Sequence, residues 1–160
     1  MASDRTSQVT VTRVMSLAKF ERLFQAAAGL DIDKKDFKRY SDFVNQKVYD
    51  FLVRGKAAAK ANGRDIIEPC DLPVTKGLQE RIQEFREIDQ EIELKPILDS
   101  LAARRPHDLT CSMETEAQLP RIVGGLSVAL ARTFKIIDPT LKNPQTTQWE
   151  RAFRLFDVLL

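Results

Sequence analysis

The chain has 160 residues, a mass of 18.2 kDa, 30% charged and 43% hydrophobic residues, and a formal net charge of +2. These values fit a soluble globular protein with one ordinary core or two very small ones, and near-neutrality gives no electrostatic sign of a nucleic-acid partner. The longest apolar run, Ile122 to Ala131, lies between Arg121 and Arg132 and is far too short to span a bilayer, which excludes a membrane protein.

The N-terminal MASDRTSQVTVTRVM lacks the apolar stretch of a secretory signal, so a cytoplasmic location is expected. Residues 1–13 are polar and β-branched without helical period, and read as a disordered lead-in. From Ser16, a suitable N-cap, Leu17, Phe20, Leu23, Phe24 and Ala27 form a short amphipathic helix that stops at Gly29.

A loop then feeds the longest element. Between Asp33 and Asn62 the apolar residues Phe37, Tyr40, Val44, Val48, Phe51 and Leu52 recur at steps of three and four. Asp33 can cap the start and Gly63 can take the left-handed position after the end. Such a helix of roughly 28 residues is about 42 Å long. Short neighbours alone cannot cover it, so an element of similar length must cross it.

After the loop 64–67, Pro69 stands at a favourable first helical position, and Pro73 makes the short helix irregular. Leu78, Ile82, Phe85, Ile88 and Ile92 continue a stripe backed by a charged, solvated face. A second short helix near Pro96 carries Ile97, Leu98 and Leu101 and breaks at Arg104-Arg105-Pro106. Ser112 can cap a second long stripe through Leu119, Ile122, Val123, Leu126, Leu130, Phe134 and Ile137, with Pro120 expected to kink or delay its start. Asp138-Pro139 ends it. Asn143 and Pro144 resemble the N-cap and first position of a last helix holding Trp149, Phe153, Phe156 and Leu159. The order short, long, short thus occurs twice, with little residue identity between the halves, in an all-α chain.

The residue types give almost no support for catalysis, and neither an enzyme nor a cofactor is expected. His107 is the only histidine, in a turn. Cys70 and Cys111 lie far apart, without CxxC spacing or a nearby base, as reduced thiols do. Asp31, Asp33 and Asp36 lack the glycine and terminal glutamate of a calcium loop, and capping accounts for Asp33 without a metal. Gly124-Gly125 sits within a helical stripe and is no phosphate loop. Two glycines there cost roughly 1 kcal/mol each; the close approach of another helix would explain them, as would a kink or simple tolerance.

Two short helices around a long one, joined by strap loops, describe the histone fold. The run Ala61-Asn62-Gly63-Arg64, with Asp71 seven positions after the arginine, resembles an archaeal histone. Segments such as KFERLF, DFVNQK, KANGRDIIEP, LPRIVGGLSVALARTFKIIDP and LKNPQTTQWERAF are similar to a bacterial family of uncharacterised proteins with two histone folds in one chain. The resemblance covers about residues 14–160. It implies a first histone fold over 14–76, a helical connector over 77–92 and a second histone fold over 93–160, packed as an intramolecular handshake pseudodimer. In that arrangement the long helices cross at mid-length, with Gly124 and Gly125 at the crossing. The first loop of each half lies beside the second loop of the other, bringing Ile32 toward Leu141 and Asp65 toward Asp108. The resemblance further implies a structural ion pair between Arg64 and Asp71. The second half departs from the pattern, with Lys142 and Trp149 at the matching positions.

The function implied first is histone-like: weak, salt-sensitive, sequence-independent binding of double-stranded DNA by a monomer with internal pseudo-two-fold symmetry, associated with the nucleoid. The matching basic residues are Lys19, Arg22, Lys34, Lys35, Arg104, Arg105 and Lys142. Against it, Asp65 and Ile66 follow the loop arginine where archaeal histones have lysine and threonine, and Asp108, Glu114 and Glu116 are close by in sequence. The alternative is a histone-fold scaffold for other proteins that does not bind DNA. For that reading the segment Leu78 to Ile92 is the extra surface, unless it packs as a connector.

Overall fold

The computed structural model describes residues 17–92 and 109–160, with side chains to Asp89 in the first stretch. The lead-in 1–13, the cap at Ser16, the short helix near Pro96, Arg104, Arg105, His107 and Asp108 lie outside the described residues. Within them the chain is all-α: five helices, a 3-10 turn at Pro69–Asp71, and one isolated parallel bridge between Ile67 and Cys111.

Helix α1 spans residues 17–28 and buries Phe20, Leu23 and Phe24 completely. Its rings pack on the next helix, with Phe20 5.5 Å from Phe37 and 4.5 Å from Tyr40 between centroids. Gly29 ends it at φ +63, a left-handed conformation that glycine adopts without a Cβ clash.

Helix α2, Lys34–Ala61, is the predicted long helix, and local chemistry sets both of its ends. Asp33 and Asp36 form a reciprocal capping box, with each backbone N–H donating to the other's carboxylate at 2.9 Å. At the far end Gly63 has φ +72; its N–H donates to the Lys60 carbonyl at 3.0 Å and that of Arg64 to Ala59 at 2.9 Å, which satisfies two terminal carbonyls.

Helix α3, Lys76–Ile92, follows a short extended stretch after Leu72 and is capped by Thr75, whose hydroxyl accepts the Leu78 N–H at 3.2 Å. It packs along α4, Met113–Ile137, burying Leu78 and Phe85 and half-burying Ile82 and Ile88. Glu84 on α3 pairs with Arg132 on α4 at 2.6 Å. The segment expected as either a free surface or a packed connector is therefore a packed one. Pro120 sits buried inside α4 without ending it, although its missing N–H and ring are unfavourable there. The Ser112 cap and a continuously buried face from Leu119 to Leu126 hold the helix across it.

The last helix, α5, spans Thr146–Leu159 and begins two residues later than the sequence suggested. Pro144 is buried ahead of it, and the Gln148 side chain accepts the Gln145 N–H at 2.8 Å, which moves the cap to Gln145. Trp149, Ala152 and Phe156 form its buried face. Phe43 of α2 stacks on Phe153 at 5.2 Å and meets Phe156 edge-on at 5.0 Å, so the two halves share one apolar core. Among the described residues no helix is long and apolar enough to cross a membrane.

Candidate functional site

Two loop junctions join the halves, and their chemistry differs. The first lies where α2 begins and α5 is about to begin. The Asp31 N–H donates to the Lys142 carbonyl at 2.7 Å, and Ile32 and Leu141 are both buried. Asp36, almost fully buried, accepts the Trp149 indole N–H at 2.8 Å on the oxygen not used by the capping box. Arg39, one turn along α2, donates to the Thr146 hydroxyl at 2.7 Å, and Lys135 donates to the Leu141 carbonyl. Burial pushes the Asp36 carboxyl above the usual aspartate range, whereas the Asp36 backbone N–H holds the Asp33 carboxyl below it.

The Lys142 backbone lies against Asp31, three residues before Lys34, and Lys34, Lys35 and Lys142 are all exposed. Lys34 and Lys35 occupy the first turn of α2, where the helix dipole favours anions but the capping carboxylates of Asp33 and Asp36 already sit. Asp31 and Asp33 are exposed beside them.

The second junction pairs the loop after α2 with the segment that starts α4. Ile67 donates to the Thr110 carbonyl at 2.9 Å, while its own carbonyl accepts the Ser112 N–H at 3.0 Å and the Thr115 hydroxyl at 2.8 Å. Arg64 and Asp71 form a bidentate pair at 2.6 and 2.7 Å, and the Asp71 carboxylate also accepts the Glu68 N–H at 2.8 Å. The Arg64 guanidinium, with the Glu68 N–H, holds the Asp71 carboxyl below its usual range, and Asp71 in turn raises Arg64. Exposed Asp65, Glu114 and Glu116 surround this end. The pairing is of 67 with 110–112; the expected neighbour of Asp65, Asp108, is outside the described residues.

Arg22 is exposed and Lys19 half-exposed on α1. Gly124 and Gly125 were expected to mark the crossing of the two long helices, and their open faces meet α3 instead. A Cβ on Gly124 would run into the Phe85 ring, and one on Gly125 would lie 3.1 Å from the Ile82 nitrogen. The reason is the connector, whose apolar side fills the space above both glycines. A direct polar link between the long helices is Tyr40 with Ser127, 2.5 Å apart and fully buried, and Ser127 also donates to the Val123 carbonyl at 2.6 Å.

Sequence reasoning missed Asp36 with Trp149, Tyr40 with Ser127, and the buried Lys47, which pairs with Asp157 at 2.8 Å. A lysine and an aspartate on helix faces otherwise read as apolar were the available signals. Cys70 is exposed, Cys111 is half-buried, and neither is in a disulfide. Among the described residues no group of His, Cys, Asp or Glu is placed to hold a metal ion.

The fold is shared with solved bacterial structures. A crystal structure from Thermus thermophilus is 55% identical, covers 90% of this chain and 97% of its own, and has a TM-score of 0.79. One from Aquifex aeolicus is 22% identical over 91% of this chain and 95% of its own, with a TM-score of 0.77, a likeness of fold alone. Two uncharacterised proteins of Aquifex aeolicus (strain VF5) are also similar. One is 25% identical over 126 residues, 79% of this chain and 74% of the relative. The other is 36% identical over 92 residues, 55% and 54% respectively. Residues 20–157 match the family described as a domain of unknown function, DUF1931, and the chain belongs to that family.

Proposed function

We propose that the chain is a pair of histone folds closed on each other, and that it holds double-stranded DNA weakly and without sequence preference. The repeated order of short and long helices supports the fold reading, as do the two cross-half loop junctions and the Arg64–Asp71 pair beside one of them. The observation that carries the binding reading is that exposed Lys34 and Lys35 open α2 beside the loop that holds exposed Lys142. Lysines there would displace counterions from a phosphate backbone. The acidic residues at the other junction oppose a phosphate track there, which is why the affinity is expected to be low.

The test is a mobility-shift titration with a random-sequence duplex at low ionic strength. A shift at micromolar protein that disappears with added salt supports the reading; no shift at that concentration overturns it.

A second reading, an interaction scaffold, is favoured by α5, whose Leu155, Val158 and Leu159 are 42%, 83% and 74% exposed. The connector no longer serves that reading, because its apolar side is spent on α4. Partners retained by the full chain after nuclease treatment of a lysate would favour the scaffold.

A further inference from the structure

We infer that the two loop junctions are latched separately, and that Asp36 with Trp149 is the latch that sets Lys142 against Lys34 and Lys35. The inference rests on which groups hold each junction. At the acidic junction Arg64 on Asp71, two residues of the same half, anchors the loop that Ile67 ties to Thr110, Ser112 and Thr115 of the other half. No counterpart exists across the repeat, since Lys142 and Trp149 stand at the matching positions. There the fixing contact runs between halves, from the Trp149 indole on α5 to a carboxylate in the first turn of α2.

Asp36 is suited to that role because both of its oxygens are committed. Oδ2 takes the Asp33 N–H and so fixes where α2 starts; Oδ1 takes Trp149 and so fixes where α5 lies. Lys34 and Lys35 belong to the first of those elements, and Lys142 to the loop leading into the second. Trp149 is itself held edge-on to Phe134 at 4.8 Å and beside Phe153 at 5.6 Å, so its indole nitrogen has little freedom to leave Asp36. The two latches share no residue and stand at opposite ends of α2, about 40 Å apart along the helix. Groups that far apart without common partners act additively, so either junction can loosen while the other stays closed. Asp36 is thus a positioning residue for the three lysines, and the bearing of that on duplex binding rests on the function proposed above.

The experiment is amide hydrogen exchange on the full chain, following the Asp31 N–H at one junction and the Ser112 N–H at the other. Trp149→Phe keeps an aromatic, though smaller, side chain and removes the donor; Asp36→Asn removes the charge and one acceptor; Arg64→Ala is the control at the far junction. Trp149→Phe and Asp36→Asn are each expected to speed exchange at Asp31 about ten-fold with Ser112 little changed, and Arg64→Ala to do the reverse. The double variant should exceed neither single one by much. Equal acceleration at both amides, or none at Asp31, overturns the inference. Duplex titration of the same proteins keeps the two readings apart: a parent that does not bind sinks the proposed function while the exchange data still decide the latch.

Discussion

Gly124 lies against the Phe85 ring so closely that even one methyl group there would overlap it. The relationship makes α3 part of the core. A glycine in the middle of a helix is unfavourable by about 1 kcal/mol relative to alanine, but overpacking a buried site typically costs about 1–3 kcal/mol. Gly124→Ala is therefore expected to lower unfolding stability, by up to about 2 kcal/mol net. Denaturant unfolding checks it, and Phe85→Leu in the Gly124→Ala background should recover part of the loss. A stabilised Gly124→Ala protein would mean that α3 does not press on α4 at this point.

Tyr40 and Ser127 should respond unequally to truncation. Tyr40→Phe leaves Ser127 still donating to the Val123 carbonyl, so the loss is that of one ordinary hydrogen bond, about 1 kcal/mol. Ser127→Ala instead strands a fully buried phenol hydroxyl, a penalty of about 1–3 kcal/mol. Tyr40 is fully buried, and that burial pushes its phenol well above its usual range. Thermal melts of the two variants should rank Ser127→Ala as the less stable.

The Arg64–Asp71 pair predicts a defined acid sensitivity. Asp71 has a folded value depressed below the ordinary 3.8, chiefly by Arg64, so ionisation of this carboxyl favours the folded state. Its contribution is fully present above 3.8 and is lost as pH falls through the depressed folded value. Asp71→Asn should thus be less stable than the parent at neutral pH, with the gap closing under strong acid. Unfolding midpoints measured across that range provide the check; a gap independent of pH would assign Asp71 a packing role only.

For the duplex-binding reading, the lysines should act through charge alone. Replacing both Lys34 and Lys35 by alanine is expected to weaken binding equally for all sequences and to flatten the log K against log salt slope by about 2, one unit for each phosphate no longer neutralised. Lys76→Ala, on an exposed residue at the start of α3, is the matched control and should leave the slope unchanged.

The parts of the molecule readable from sequence are those governed by neighbours in the chain. Asp33 at the start of α2, Gly63 after its end and Ser112 before α4 announce themselves because capping is settled within a few residues. Arg64 and Asp71 were legible only through a resemblance, since spacing alone does not distinguish a bidentate pair from two surface charges. The bond between Asp36 and Trp149 joins positions 113 apart and has no local signature. A carboxylate in a first helical turn reads as a cap, and a tryptophan on an apolar stripe reads as core; both descriptions are true and neither reveals the contact. The glycine pair was misassigned for a related reason. Its pattern signals that something approaches closely, but the choice between α2 and α3 depends on how the chain folds back.

The contacts that seal α2 also bear on the order in which the protein can fold. Phe43, Lys47 and Asp36 each have a partner among residues 149–157, so most of the sequence must be synthesised before the longest helix gains its final cover. Contacts of such sequence separation slow folding well below the rate of a simple helical bundle. During translation the emerging first half would carry an open apolar seam, making it the stage at which a chaperone is most useful.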